Sequence, residues 1–473
     1  MEEIEIKNID HLGIIAGIVD ELEIVKKVNE KLKIDCREKI TSGQVVKAII
    51  LNGLGFISRP LYLFSQFFQD KEVEKLLGKG VKSSYLNDDK IGRVMDALYK
   101  YGLSNIFLEI ASLAVKKFRI ETQYSHLDST SFHLHGKYES EKPQEEEMKK
   151  DRPIYISKGY SRDHRPDLKQ CVLDLITTQD GEMPLFIRVG DGNESDKAVF
   201  GKIAVQFKKQ IDFESVLVSD SALYSQENLK LVKEMKWITR VPLTLKKAKE
   251  LVQTVEVEEN EKEIKGYKWK EEIVKYAGIT QRWIVFESEQ RRESDIKKLE
   301  KMIEKEKIKE KLKTEEIKKR QKQAGRFILA TNLVESENQK TPVEILEIYK
   351  KQQSCERGFG FLKDPLFFAD SLFVKKPERL ETTLFLMSLC LLVYNLGQRQ
   401  LRNNLKESEN KLKNQVGKLT NTPSLRWIFQ CFQGIHLLTL NGDKKIVNLT
   451  EERKFILEFL PSSCYRYYLS SAS

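Results

Sequence analysis

The stretch Tyr124–Leu134, which reads YSHLDSTSFHL, carries an aspartate at the centre of a strand-like pattern. Apolar and polar residues alternate around Asp128, and a period of two is typical of a β-strand. The residues before it, 1–118, have helical patterns instead. We therefore expect a sheet-containing domain to begin near residue 120, after a helical one.

The residues that follow predict a fold of the mixed α/β class. Apolar segments with strand character recur, separated by a turn at 179–182 and by helical patterns at 198–207 and after Ser225. These expected strands are Cys171–Thr178, Pro184–Val189, Ser215–Ser219 and Trp237–Val241. Strands and helices that alternate in this way indicate a mixed sheet covered by helices.

The N-terminal residues 1–118 predict a helical domain and a candidate DNA-binding domain. Thr41-Ser42-Gly43-Gln44 resembles a capping box, and the apolar run Val45–Leu54 follows it. Helical domains of this size often contain a helix-turn-helix. A plain helical packing domain agrees equally well with the pattern.

Residues 246–325 predict a β insertion followed by a charged helix. Strands are expected near Leu251–Val257, Ile273–Tyr276 and Trp283–Glu287, and one long helix at Ser294–Gln323. Residues 291–325 contain 14 Lys/Arg and 8 Asp/Glu, a net charge of +6. This helix is a candidate DNA-contacting arm, and a solvated helix with i,i+4 ion pairs agrees equally well.

The remaining residues predict a return to the sheet and a mainly helical end. A strand is expected at Arg326–Thr331, and Thr341-Pro342-Val343-Glu344 has an N-cap, a first-turn proline and a reciprocal glutamate. A helix near 380–400 and a hairpin around Asn441-Gly442 come later. The domain boundaries follow from these changes: helical 1–118, first part of the catalytic core 119–245, insertion 246–325, end of the core 326–405, C-terminal region 406–473.

The composition favours a cytosolic protein. The formal net charge is +10, which is compatible with a polyanionic partner. Six cysteines have no paired spacing, so neither a disulfide framework nor a zinc site is predicted. The start of the sequence lacks a signal-peptide pattern, and the apolar run Leu384–Tyr394 is far shorter than the ~20 residues of a membrane helix. We therefore expect a cytosolic compartment with reduced thiols.

Three carboxylates stand out by their positions: Asp128 inside a strand, Asp220 at the end of one, and Glu356 on the helix that Thr341 begins. Transfer at a phosphodiester needs an activated oxygen nucleophile and a stabilised leaving oxygen, and two Mg²⁺ ions about 4 Å apart provide both. Mg²⁺ prefers hard oxygen ligands, and Mn²⁺ substitutes for it. We predict that these three residues are catalytic and bind two ions per active site.

The helix around Glu356 strengthens this prediction. Tyr349, Gln352, Glu356 and Lys363 are spaced by 3, 4 and 7 residues, which places them within an arc of roughly 60° on a continuous helix. A phenol, an amide, a carboxylate and an ammonium on one face favour phosphate binding over a core. Gly358 and Gly360 precede Lys363, so a bend or an early end of the helix would displace it.

These residues resemble the insertion-sequence DDE transposases of the IS-four type, in the sixteen-thirty-four branch. That group has the signature Tyr-x-x-Arg-x-x-x-Glu-x-x-x-x-x-x-Lys, and Tyr349, Glu356 and Lys363 match it. Gln352 replaces the signature arginine, and Arg357 and Lys351 are candidates to compensate. His126-Leu-Asp128-Ser-Thr and Val218-Ser-Asp220-Ser-Ala-Leu-Tyr resemble the motifs of the two catalytic aspartates.

The resemblance implies an RNase H-like catalytic core with an insertion before the catalytic glutamate. It implies double-stranded DNA as partner, in the form of the terminal inverted repeats of a mobile element and a target DNA. It implies hydrolysis at the element ends, joining of the 3′ ends to the target, and a homodimer in the synaptic complex. Some relatives have a base-flipping tryptophan in the insertion, where this chain has Trp269 and Trp283, although a buried strand residue is the favoured interpretation of both.

A basic run lies between the first two strands. It contains Lys158, Arg162, His164, Arg165 and Lys169, and we consider these, with Arg357, as candidate DNA-binding residues. A solvated loop accounts for the same residues equally well.

Two other functions agree with the same features. A metal-dependent nuclease on an RNase H-like core would use the same carboxylates without strand transfer. A domesticated, non-catalytic DNA-binding protein would have no need of them, and the intact set of Asp128, Asp220 and Glu356 disfavours it.

Overall fold

The computed structural model describes ten segments of the chain. They are residues 4–33, 37–56, 63–136, 138, 152–160, 165–257, 264–307, 314–334, 340–364 and 375–469. The chain divides into two compact units. The first unit comprises residues 1–121, 129–193 and 355–473, and the second comprises residues 122–128 and 194–354.

The strands, in chain order, are Ile4–Asn8 (β1), Tyr124–Leu134 (β2), Lys169–Thr178 (β3), Pro184–Gly190 (β4), Val216–Ser219 (β5), Trp237–Val241 (β6), Tyr267–Tyr276 (β7), Ile279–Ser288 (β8), Arg326–Thr331 (β9), Leu412–Lys413 (β10), Leu419–Thr420 (β11), His436–Leu440 (β12) and Asp443–Val447 (β13). The helices are Leu12–Glu21 (α1), Ile24–Leu32 (α2), Ser42–Gly53 (α3), Phe64–Phe67 (α4), Val73–Leu77 (α5), Asp88–Tyr101 (α6), Leu103–Phe118 (α7), Asp196–Gln210 (α8), Gln226–Leu231 (α9), Lys246–Thr254 (α10), Glu289–Lys307 (α11), Thr314–Gln323 (α12), Pro342–Lys350 (α13), Gln353–Leu362 (α14), Pro377–Glu407 (α15), Leu425–Cys431 (α16), Glu451–Leu457 (α17) and Ser462–Tyr465 (α18).

The second unit is built on a large mixed sheet in the order β2-β5-β6-β9-β8-β7. β2, β5 and β6 are parallel, whereas β9, β8 and β7 follow in antiparallel pairs. Helix α13 packs on one face through Ile345, Leu346 and Ile348. The mixed α/β prediction is confirmed, and the sheet is consistent with an RNase H-like core.

The first unit combines the N-terminal helices with the β3-β4 hairpin and the C-terminal elements. The second half of β2 lies beside β3, and β1 pairs with β12 of the C-terminal hairpin. The long helix α15 passes through its core and contacts α1, α3, α6 and α7. By length and composition α15 resembles a membrane span, but 89% of its apolar window is buried inside the protein, as in a core helix.

The predicted capping boxes and hairpin turn, which depend only on residues close together in the sequence, are confirmed. Both capping boxes form, at Thr41 with Gln44 and at Thr341 with Glu344. The predicted hairpin turns at Asn441 and Gly442, both with positive φ, as a type I′ turn requires. Helix α3 has ten of its twelve residues buried and therefore serves packing.

Two predictions about the insertion are wrong. Of the strand expected near Leu251–Val257, residues 251–254 belong to helix α10 (Lys246–Thr254), because Ala248 and Val252, four residues apart, share a buried face. The single charged helix is two helices, α11 and α12. Hydrogen bonds from Gly325 to Asp295 and from Arg320 to Met302 show that they run antiparallel, and this folding back buries Leu299, which a lone solvated helix would expose.

Replacement of the buried Arg282 by methionine is expected to destabilise the second unit by about 3 kcal/mol, because its ion pair with Glu271 loses one partner. Arg282, on β8, is 2% exposed; its Nη2 donates to Glu271 Oε2 at 2.9 Å and its Nη1 to the Lys340 carbonyl at 2.7 Å. Urea unfolding of Arg282→Met measures this change. Lys275→Met removes an exposed charge from the same hairpin, and equal stability of the two variants would contradict the prediction.

Candidate active site

The parallel pairing of β2 with β5 places two aspartates side by side. The last matched pair is Leu127 with Ser219, and Asp128 and Asp220 each follow by one residue. Neighbouring strands lie about 4.8 Å apart, and residues in matched register point to the same face of the sheet. Both side chains are half-buried. Two carboxylates this close repel each other, and bound divalent cations reverse that repulsion.

The turn after β5 orients the Asp220 carboxylate. Its Oδ1 accepts a hydrogen bond from the Ala222 N–H at 2.9 Å, so the side chain caps its own turn. The Asp220 carbonyl accepts from Thr239 Oγ1 on β6 at 2.6 Å. These contacts hold the residue at the strand end, where a carboxylate can face a cleft above the sheet.

Tyr349 lies near the two aspartates. It is the penultimate residue of α13 and packs at the edge of the core beneath that helix. Burial raises the pKa of its phenol to about 12; Arg240 lowers it, and Asp220 and Asp128 raise it. The phenol is therefore protonated at neutral pH and can donate a hydrogen bond, and the two aspartates lie near enough to influence it.

Gln352 holds β2 next to Asp128. Its Nε2 donates to the Leu127 carbonyl at 2.8 Å, and its Oε1 faces His126 Nδ1 at 3.3 Å. Burial lowers the pKa of His126 to about 4, so the ring is neutral and its Nδ1–H donates to the amide oxygen. Both ends of the amide are thus engaged within the second unit, and a contact of Gln352 with DNA stays a prediction.

The helix that was expected to carry Tyr349, Gln352, Glu356 and Lys363 on one continuous face is interrupted. α13 ends at Lys350 and α14 begins at Gln353. Between them the N–H groups of Lys351 and Gln352 donate to the carbonyl groups three positions back, as in a 3₁₀ turn. The glycines do not end α14, which continues to Leu362. The shared arc of roughly 60° therefore does not apply.

Glu356 is exposed on α14, in the first unit. The buried neighbour Cys355 anchors this helix, since its Sγ lies 3.3 Å from Thr177 Oγ1 on β3. Asp128 and Asp220 belong to the second unit. Within the described segments no group of three His, Cys, Asp or Glu is placed to hold a metal ion. The Asp128–Asp220 pair is a hard oxygen donor set of the type that Mg²⁺ takes, whereas the three-residue set stays a prediction.

The comparison with protein families decides the affiliation of the chain. The family described as "Transposase DDE domain" matches residues 124–396, more than half of the sequence. The chain belongs to the DDE transposase family. Residues 4–112 match a second family, described as a domain of unknown function, DUF4277.

No curated protein matches this transposase. A solved structure, described as a cryo-EM structure of the piggyBac transposase synaptic complex with hairpin DNA, aligns with 98% of this chain and 81% of that one. Its TM-score is 0.41 and its sequence identity is 10%. A similarity this low carries no conclusion about the function of the transposase described here.

The other predicted DNA-binding residues of the transposase are distributed over the first unit. Arg357 pairs with Glu182 at 2.6 Å, and Lys363 Nζ lies 5.7 Å from the centre of the Phe132 ring on β2. Arg165 forms a two-bond ion pair with Asp167, and Lys169 donates to the Tyr138 carbonyl. Arg162 and His164 lie outside the described residues. A role of any of these residues in DNA contact stays a prediction.

The two tryptophans of the insertion are core residues, in agreement with the favoured interpretation. Trp283 is 1% exposed and its Nε1 donates to the Tyr224 hydroxyl at 2.9 Å. Trp269 is buried against Phe286.

One residue near the aspartates was missed by sequence reasoning. Arg240 follows Thr239 on β6, and in the register of β5 and β6 it comes directly after the pair Ser219–Thr239. Asp128, Asp220 and Arg240 therefore occupy equivalent register positions on three adjacent parallel strands: Asp128 lies within β2, Asp220 directly follows β5, and Arg240 is near the end of β6. A sequence signal existed, because Arg240 is the one charged residue of the strand Trp237–Val241, but only the register places it beside Asp220.

Proposed function

We propose that this chain is the transposase of an insertion sequence of the IS-four type, and that it cleaves DNA at the element ends and joins the 3′ ends to target DNA. The observation that carries the proposal is the side-by-side placement of Asp128 and Asp220 on adjacent parallel strands, where the pairing of β2 with β5 ends, within the residues that match the transposase domain. The signature residues Tyr349, Glu356 and Lys363 support the IS-four affiliation.

Asp128 and Asp220, with Glu356 as the third carboxylate, are proposed to hold two Mg²⁺ ions, or Mn²⁺ in their place. When bound, such ions supply an activated oxygen nucleophile and stabilise the leaving oxygen of a phosphodiester. The donor set agrees with this because it consists of carboxylate oxygens.

The protein's own groups position the substrate and the aspartates. The protonated phenol of Tyr349 donates a hydrogen bond to a phosphate oxygen above the strand ends. Gln352 fixes the backbone that precedes Asp128, and the turn at Ala222 fixes the rotamer of Asp220. A site held by a sheet and a packed helix is rigid before DNA arrives, which favours the transition state over the bound substrate.

The partners follow from this function. We propose that the chain binds double-stranded DNA, both the element ends and the target, and that it acts as a homodimer when two ends are brought together. The net charge of +10 supports a DNA partner. A bacterial cytosolic, nucleoid-associated location is proposed with it.

The test is an assay of cleavage and joining on a duplex that carries the inverted repeat flanking the gene. With Mg²⁺ or Mn²⁺ the wild type is expected to nick at the repeat boundary and to join the new 3′ end to a plasmid. The matched controls are EDTA and a duplex with a scrambled repeat. Cleavage without joining would show a nuclease instead. Specific binding with no cleavage in either metal would show a domesticated DNA-binding protein.

A further inference from the structure

The half-buried Arg240 guanidinium has an unusual environment in the second unit. It carries five N–H donors, yet in the described part of the chain its side chain makes no hydrogen bond and no ion pair at bonding distance. Its nitrogen atoms remain accessible to water and can donate to an anion that binds there.

The Arg240 side chain lies on the face of the sheet that α13 covers and that also carries Asp220. By the β-strand alternation its side chain shares a face with Ile238, which belongs to the core beneath α13. The same face carries Asp220 at the equivalent position of the adjacent strand. Tyr349 and Asp220 both raise the pKa of Arg240, against the lowering by burial, so both lie within electrostatic range.

A second arginine approaches from α11. The guanidinium carbons of Arg240 and Arg291 lie 5.7 Å and 6.0 Å from the centre of the same Phe327 ring. Their charges oppose each other, since Arg291 lowers the pKa of Arg240. Arg291 is exposed, and its nearest acid is Asp295, at a loose 3.7 Å. Two guanidinium groups therefore lie near the Phe327 ring with like charges and few hydrogen-bonding partners. An anion bound between them would be attracted by both.

We propose that Arg240 and Arg291 form a subsite for a DNA phosphodiester next to Asp220. This rests on the proposed function, which supplies the DNA. The planar guanidinium fork matches the oxygens of a phosphate and is charged at any physiological pH. A bound phosphate satisfies the donors of Arg240, turns the repulsion between the arginines into a shared attraction, and lies beside the carboxylates that would hold the metal ions.

The experiment measures the salt dependence of DNA binding for Arg240→Gln, Arg291→Gln and Arg240→Lys. The probe is a fluorescent duplex of arbitrary sequence, without divalent metal. The slope of log K against log salt falls by about 0.9 for each phosphate that the protein no longer neutralises. We expect each glutamine variant to show a slope smaller by about one unit and an affinity about 10-fold weaker, whereas Arg240→Lys retains the slope. Lys418→Gln, at an exposed lysine directly before β11, removes the same charge outside the candidate DNA-binding segments and should change neither the slope nor the affinity.

Each outcome bears on the proposal. Wild-type slope and affinity in both arginine-to-glutamine variants would overturn it, and so would an equal decrease in Lys418→Gln. Arg291 is exposed, so Arg291→Gln keeps the test valid if Arg240→Gln does not fold. Cleavage by the wild type together with unchanged binding by the variants would remove the subsite and leave the proposed function standing. If the wild type does not cleave but the arginine-to-glutamine variants show a reduced slope, the phosphate subsite stands and the proposed function falls.

Discussion

Asp220→Asn is expected to lower the rate of DNA cleavage by at least about 10³-fold while DNA binding persists. Loss of a ligand that positions a divalent ion removes several kcal/mol of transition-state stabilisation, and each 1.4 kcal/mol is a factor of ten. Asparagine keeps an oxygen that can accept from the Ala222 N–H, so the turn after β5 is retained. The measurement is single-turnover cleavage of the element-end duplex, with binding followed in parallel.

A thermal shift separates the metal role from a structural one. The paired carboxylates of Asp128 and Asp220 repel without metal, so addition of Mn²⁺ should raise the melting temperature of the wild type, and this rise should be absent in Asp220→Asn. Asp128→Asn and Glu356→Gln are expected to behave in the same way. Asp212→Asn, an exposed aspartate before β5, is the matched control. Cleavage at the wild-type rate by Asp220→Asn would remove it from the catalytic set.

Glu381→Gln is expected to stabilise the first unit at alkaline pH and to have little effect near pH 4.5. Glu381, on α15, is half-buried, and removal from water raises its pKa from the ordinary value of 4.5 to about 8. The Ile154 N–H, which donates to Oε1 at 2.9 Å, and Arg188 lower it, whereas Glu378 and Asp191 raise it. Near neutral pH the folded protein therefore keeps a proton on this carboxyl that the unfolded chain has released.

The direction of the pH dependence follows from that proton. Between pH 4.5 and about 8 the folded state binds more protons at this site, so the free energy of unfolding falls as pH rises. One pKa unit corresponds to about 1.4 kcal/mol, which sets an upper bound of about 4–5 kcal/mol for the decrease above pH 8. Glutamine keeps the acceptor for Ile154 and does not ionise.

Urea unfolding of the wild type and of Glu381→Gln at pH 5, 6.5 and 8 measures the difference. The gap in unfolding free energy should widen with pH in favour of the variant. Glu407→Gln, at the exposed end of the same helix, should show no such widening. A gap that is constant from pH 5 to pH 8 would contradict the assignment of a neutral Glu381.

Features that depend on a few neighbouring residues could be predicted from the sequence. The capping boxes at Thr41 and Thr341 and the turn at Asn441 form as expected, because their hydrogen bonds join residues one to three positions apart. The strands Tyr124–Leu134 and Trp237–Val241 agree with their predicted bounds, since a period of two is visible without any partner strand.

Features that depend on contacts with distant parts of the chain could not be predicted from the sequence. The pattern Leu251–Val257 suits a strand, and it becomes helical because α12 and β9 cover Ala248 and Val252. The charged segment folds back as α11 and α12, because a single long helix buries too little apolar surface. The break at Lys351 and Gln352 lets the amide of Gln352 reach β2, a hydrogen bond across 225 residues of sequence.

For the candidate site, the sequence by itself determined the residue types: one aspartate inside a strand, one at a strand end, and the tyrosine, glutamate and lysine of a transposase signature. Only the tertiary structure decided which of these side chains lie next to one another. Strand register, which is a relation between segments about 90 and 20 residues apart, sets Asp128 beside Asp220 and Asp220 beside Arg240. A side chain's sequence neighbours say whether it is near the end of a strand, but only the hydrogen-bonded pairing of strands says which other end lies next to it.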